Sequence, residues 1–388
     1  MIKFKTFTLK LFTIIFLIVM YTNFEYYFIS NTFISKEDKL RILHIEEQLE
    51  ENISLSSSKT SSNSLIVSST KSLHISKLQQ NSSVFVKDNV TRILLITFLR
   101  GGSSFLGDLI QQNPKTFYFF EPLHFWGLRR KFDSYETSEV FNTLSHLFRC
   151  QFNETIEYNR YMSKRPFMFH ANKYLMSNCK NSVLCRDIKY HYKICSQSQS
   201  ILMKVARLNL KDALVFLKQN SDLDIKLVYL SRDPRAILNS RKPVVWCRNV
   251  TCNTPFFLCN EMRSDLGALN TFNMFFHWIR YEDLSLDPEN MARNLYKWLS
   301  IPFTSEAARF VQTHTNSQSK RKIFSSTYRN SLIAPFQWIH HLSFKEIDRI
   351  QKECGDVMYK LGYKMIDNST YYIYNSQEFV NYDKNTFY

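Results

Sequence analysis

The sequence lacks several signatures, and each absence removes a class of chemistry. There is no G-x-x-x-x-G-K-S/T loop, which disfavours an ATPase or kinase. No His/Cys cluster at ligand spacing stands out and no D-x-D element is read as a metal site, so no metal is expected. The eight cysteines, Cys150, Cys179, Cys185, Cys195, Cys247, Cys252, Cys259 and Cys354, include no C-x-x-C pair. That disfavours a zinc ribbon or a thioredoxin-type site and points to disulfides in an oxidising compartment, with every pairing among them open.

No small-x-small cleavage site follows the apolar run Leu11–Met20, so the run reads as a signal anchor rather than a cleaved signal peptide. Lys3, Lys5 and Lys10 precede it, and Tyr21, Phe24, Tyr26 and Tyr27 after it suit a membrane interface. The expected organisation is a cytoplasmic tail (1–10), a membrane-spanning anchor (11–29), a flexible stem (30–90), a lumenal domain (91–366) and a tail (367–388). The Ser- and Asn-rich stem holds too little apolar surface to offset chain entropy, although Lys36–Glu51 has the spacing of a short helix. Sequons at Asn52, Asn81, Asn89, Asn153, Asn249 and Asn368 agree with a lumenal domain. Of the net charge of +16, +14 falls after residue 90. A basic cleft would concentrate an anionic nucleotide or an acidic glycan. The anchor and sequons argue against nucleic acid, and nothing in the sequence supports an oligomer.

Two segments carry the chemistry: ITFLRGGSSFLGDLIQQNP from Ile96 and LVYLSRDPRAILNSR from Leu227. Ile93–Thr97 and Lys226–Leu230 are apolar runs that read as buried strands, each followed by a turn and a helix. The first helix is expected over Ser103–Gln112, and the second has Asp233 as N-cap with Pro234 at its first position. Neither helix opens on a lysine. Helix N-termini favour anions, and Arg100 and Arg232 add forked donors suited to phosphate. The pair predicts a ligand with two separated phosphates.

In this setting the chain resembles the Golgi carbohydrate 6-O-sulfotransferase family. The resemblance rests on Arg100-Gly101-Gly102-Ser103-Ser104-Phe105, on Arg232 through Ser240 (Arg232, Asp233, Pro234, Arg235, Ala236, Ile237, Leu238, Asn239, Ser240), and on FFEPLH from Phe119. LMKVARL from Leu202, RYEDL from Arg280 and CGDVMYKLGYK from Cys354 complete it. It implies an α/β fold like that of P-loop kinases, with a central parallel sheet, and 3′-phosphoadenosine 5′-phosphosulfate as sulfate donor. The first turn would cradle the 5′-phosphosulfate, with Arg100 neutralising charge at the leaving oxygen, and the second would hold the 3′-phosphate. The acceptor would be a sugar hydroxyl, at position 6, of a glycan or glycosaminoglycan chain in the Golgi lumen.

The resemblance places the catalytic base at Glu121, with His124 as competitor because imidazole titrates near neutral pH. Lys204 and Arg207 could touch sulfate or acceptor, or lie at the edge of the core. Arg235 and Arg241 could be exposed helix residues or salt-bridge partners. Tyr328, Phe336 and Trp338 could stack on nucleotide or sugar or belong to the core, Tyr328-Arg329 standing where the family has tryptophan-arginine. Lys345–Lys360 is expected as a core helix and Tyr371–Tyr388 as a tail. Two rival readings remain: a Golgi glycosyltransferase, and an inactive relative that binds glycans.

Overall fold

The computed structural model describes residues 90–181, 183–271, 275–316 and 326–373. The apolar runs become a five-stranded, wholly parallel sheet of order β2-β3-β1-β4-β5, built from β1 (Thr91–Thr97), β2 (Thr116–Phe120), β3 (Ser200–Val205), β4 (Ile225–Ser231) and β5 (His277–Arg280). All six residues of β3, and six of seven in β1, are buried. Continuous hydrophobic runs are what a sheet covered on both faces requires.

Side chains alternate between two cores. Leu94, Ile96, Met203, Leu227 and Tyr229 face one layer, while Ile93, Leu95, Leu202, Val228 and Leu230 face the other. The second layer is built by α1 (Ser103–Ile110) and, after β5 and one short helix, by two further helices. The main helices in chain order are α1, α2 (Ser134–Phe148), α3 (Leu210–Gln219), α4 (Pro234–Arg241), α5 (Pro255–Thr271), α6 (Tyr281–Leu286), α7 (Pro288–Leu299), α8 (Ser305–Thr315) and α9 (Phe344–Lys360). Helices α2, α3, α5 and α9 cover the first face, and α1, α7 and α8 the second. Tyr296 of α7 donates its hydroxyl to Leu109 O at 2.6 Å, fastening α7 to α1.

The helices stop and start where the sequence places caps. Asp233 accepts from Arg235 N at 2.8 Å with Pro234 following it, and Ser343 and Glu346 form a reciprocal capping box at the start of α9. Helix α1 ends at Ile110, two residues before the expected Gln112.

The eight cysteines pair as Cys150–Cys195, Cys179–Cys185, Cys247–Cys252 and Cys259–Cys354. The anchor, the stem and the short helix read at Lys36–Glu51 lie outside the described residues. Among the described residues no helix is long and apolar enough to cross a membrane. Tyr371, read as the start of the tail, belongs to a helix, Asn368–Ile373, and donates its hydroxyl to Leu342 O at 3.0 Å. Residues 374–388 lie outside the described set.

Candidate active site

Strands β1 and β4 are neighbours in register, Thr97 opposite Leu230, so the two turns that follow them emerge side by side at one edge of the sheet. That edge, where connections diverge to either side of a central strand, is where open α/β sheets bind ligands. In the first turn Gly101 N donates to Phe98 O at 2.8 Å, Arg100 has φ 72°, and Gly102 has φ 96°. A β-carbon on Gly102 would lie 2.2 Å from Cδ2 of Tyr281, so only glycine fits there. Helix α1 then opens at Ser103 with no side-chain cap, which leaves its first N–H groups directed at the cavity mouth.

The two turns interlock. Arg232 donates from its NH1 nitrogen to Arg100 O at 3.0 Å, Arg100 Nε donates to Ser240 Oγ at 3.0 Å, and the Arg232 guanidinium lies over the Tyr281 ring at 4.3 Å. The two anion sites read from sequence as separate are therefore contiguous. Burial, with Arg232 and Arg329 nearby, lowers the pKa of Arg100, the mark of crowded positive charge. Among the described residues Arg232 Nε is buried without a hydrogen-bond partner, a donor that an anion would satisfy.

The segment Arg232 through Ser240 divides by role. Arg232, Ala236, Asn239 and Ser240 line the cavity, together with Arg100, Gly102, Ser103, Ser104 and Phe105 of the first turn. Gly101 packs instead against Thr97, where a β-carbon would fall 2.4 Å from the hydroxyl oxygen. Pro234, Ile237 and Leu238 are core residues. Arg235 is buried, pairs with the Asp233 carboxylate at 2.7 Å, donates to Gln351 Oε1 and Lys364 O at 2.9 Å, and stacks on Trp338 at 4.2 Å. Of the two readings left open for Arg235, the salt-bridge partner is the one seen, and it is a buried one. Arg241 is also buried rather than exposed, and bonds two carbonyls. Phe336 and Trp338 are in the core.

Glu121 follows β2 with φ 51°, which turns its side chain back under the sheet edge. Its N–H continues the β2–β3 ladder to Lys204 O at 3.0 Å, and its carboxylate meets Lys204 Nζ at 2.9 Å and the Arg207 guanidinium at 2.6 Å. Burial alone would raise its pKa, but Lys204, Arg207 and the Ala206 N–H outweigh it and hold the carboxyl at about 2. His124, one turn on, shares a short hydrogen bond between Nδ1 and the Tyr161 hydroxyl. Burial and the positive charge of Arg207 press its pKa down to about 4, so the ring is neutral at physiological pH.

Glu121, His124, Lys204 and Arg207 line the same cavity as the two turns, of about 1460 Å³. Among the described residues six cationic side chains line it, Arg100, Lys204, Arg207, Arg232, Lys242 and Arg329, against one carboxylate, Glu121. Sequence reading left Lys204 and Arg207 undecided and missed Arg329 and Tyr281 as cavity residues. The signal for Tyr281 was its place in RYEDL, where β5 ends beside β4. Among the described residues no group of three or more His, Cys, Asp or Glu side chains is arranged to hold a metal ion.

A parallel sheet with two arginine-bearing helix openings at one cationic cavity is the arrangement that the resemblance to sulfotransferases implies. The sulfotransferase domain family matches residues 90–362, and the chain belongs to it. Mouse carbohydrate sulfotransferase 5 is 26% identical over 320 residues, covering 71% of this chain and 81% of that protein. Human carbohydrate sulfotransferase 3 is 25% identical over 328 residues, covering 70% and 67%. Among solved structures, the sulfotransferase domain from the Synechococcus PCC 7002 olefin synthase aligns over 72% of this chain and 97% of that one, at 15% identity and a TM-score of 0.42.

Proposed function

We propose that the protein transfers the sulfuryl group of 3′-phosphoadenosine 5′-phosphosulfate to position 6 of a sugar, N-acetylglucosamine, galactose or N-acetylgalactosamine, in a glycan chain. The observation that carries this reading is the interlocked pair of turns, Arg232 to Arg100 O and Arg100 to Ser240 Oγ, at the mouth of a cavity with six cations. A donor bearing one phosphate at its reactive end and another on its ribose matches two adjacent anion sites. The carbohydrate acceptor is supported by the mouse and human relatives, each a carbohydrate sulfotransferase. The same reading places the enzyme in the Golgi lumen behind a type II anchor at residues 11–29, consistent with the sequons and with cysteines that all pair.

In the reaction the bond from sulfur to the phosphate oxygen breaks as a new bond from sulfur to the sugar oxygen forms. Charge accumulates on the leaving phosphate, where the Arg100 guanidinium and the N–H groups opening α1 would stabilise it. The sugar hydroxyl loses its proton to Glu121, which is always ionised above about pH 2. An anion arriving beside Lys204 competes for the ammonium now held by Glu121 and raises the proton affinity of the carboxylate. A second assignment has its own support: both Glu121 oxygens are engaged by cations, whereas His124 is neutral and, by its higher pKa, the stronger base.

The test is transfer of labelled sulfate to a panel of desulfated glycans, with Arg100→Ala as control. Transfer to a defined glycan that falls by about 10²–10³-fold in Arg100→Ala is the expected result. Bisphosphate binding without transfer to any glycan would favour an inactive relative, and nucleotide-sugar binding in its place a glycosyltransferase.

A further inference from the structure

The cavity has a wall that neither the anion sites nor the candidate bases use. It is the segment leaving α4 directly after Ser240, and Lys242 through Trp246 line the cavity along it. At its tip Trp246 is 46% exposed, next to Val245 at 57%. An aromatic side chain half in water at the edge of a deep cavity, packed into none of the hydrophobic clusters among the described residues, is an available apolar surface, and it differs in character from the cationic side.

The segment is held rather than loose. Trp246 precedes Cys247, whose disulfide to Cys252 is buried and packs with Val244 and Leu128. Arg241 ties this short loop to the donor turn: its Nε donates to Leu99 O at 3.1 Å, and its NH1 nitrogen to Cys252 O at 2.6 Å. One buried guanidinium thus joins the carbonyl preceding Arg100 to the disulfide loop behind Trp246. Burial without a carboxylate partner in hydrogen-bond contact is costly for a guanidinium, so its two carbonyl bonds fix the spacing between the two walls.

We propose that Trp246 is the acceptor platform of this enzyme, on which the C–H face of a pyranose ring stacks, with Arg241 and the Cys247–Cys252 disulfide as the elements that position it. The inference rests on the sulfotransferase reading and names the specificity residue of its sugar side. A sugar ring offers hydroxyls at its edge and an apolar C–H face, and an indole in a cavity meets that face while the rim remains free for hydroxyl contacts. The anion sites then keep the donor, and the aromatic wall takes the neutral ring, so that the reacting hydroxyl lies between them.

The experiment uses the full chain with tetrasaccharides containing galactose and N-acetylglucosamine, or N-acetylgalactosamine, as probes. Wild type, Trp246→Ala and Trp246→Phe are compared for acceptor KM, for kcat, and for the Kd of adenosine 3′,5′-bisphosphate. Trp246→Ala is expected to raise acceptor KM about tenfold, with bisphosphate Kd changed less than twofold, and Trp246→Phe to restore most of the loss. An acceptor KM within twofold of wild type in Trp246→Ala overturns the proposal, as does bisphosphate affinity falling in parallel. Should the wild type bind bisphosphate yet transfer nothing, calorimetric binding of the same tetrasaccharides decides separately. Binding that weakens tenfold in Trp246→Ala upholds the platform while the catalytic reading fails, and no binding by the wild type overturns the platform as well.

Discussion

At the scale of single residues, the charge state of the cavity follows from who neighbours whom. Glu121 is buried, which by itself would protonate it, yet two cations within 3 Å reverse the sign and leave a permanent carboxylate. His124 is neutral for the opposite reason, because burial and the neighbouring Arg207 disfavour a further positive charge. A base must be unprotonated to act, so activity is lost only as pH falls through the pKa of the acting group. The dependence of kcat/KM on pH, which reports the free enzyme, should therefore be flat from about pH 5 upward on its acid side. Its acid limb should fall near 4 if His124 takes the proton, and lower if Glu121 does. A limb near 6.5 in initial-rate measurements would show that neither environment is the one that matters in turnover. Replacing Glu121 by glutamine would leave Lys204 and Arg207 buried without their partner at a cost of about 3–5 kcal/mol, so its activity must be read beside its melting curve.

At the scale of elements, the anion sites depend on backbone more than on side chains. Helix α1 offers uncapped N–H groups because Gly102, at φ 96° and pressed against Tyr281, ends the turn where a side-chain cap would otherwise sit. Gly102→Ala meets both a positive φ and a ring in its path, and should destabilise the fold by about 1–3 kcal/mol. Thermal melts would show that loss, and bisphosphate affinity should fall with it because the helix opening must move. Unchanged affinity in a destabilised variant would separate the turn from donor binding. Helix α4 differs: Asp233 caps it and Arg235 anchors it to α9 through Gln351, so its opening is fixed by a buried ion pair.

For the whole molecule, the cross-links set what the fold tolerates. Cys259–Cys354 joins α5 to α9 across a separation of 95 residues, and closing so long a loop restricts the unfolded chain most. The double replacement Cys259→Ser/Cys354→Ser should cost about 4–5 kcal/mol in chemical denaturation. Cys247→Ser/Cys252→Ser opens a loop whose disulfide spans a separation of only 5 and should cost about 2 kcal/mol, with its effect concentrated on the wall that carries Trp246. Equal losses from the two pairs would contradict loop closure as the source of the stabilisation.

Much of the frame was legible in the chain. The apolar runs ending at Thr97 and Leu230, the proline and aspartate that open α4, and the Gly-Gly turn before α1 are local signals, each written within a few residues. Local signals fix strands, helix ends and the order of motifs, and the family resemblance followed from that order. What they could not specify is which groups meet across the fold. Arg235 and Arg241 look alike on the helix surface of the sequence, yet both are buried, one on Asp233 and Trp338 and the other between two carbonyls. The two anion sites merged because β1 and β4, more than 120 residues apart in sequence, lie next to each other in the sheet. The pairings Cys150–Cys195 and Cys259–Cys354, the two cations on Glu121 and the tie through Arg241 between the donor turn and the wall that carries Trp246 arise from the same cause. They are contacts between distant parts of the chain, determined when the layers pack and carried by no single stretch of sequence.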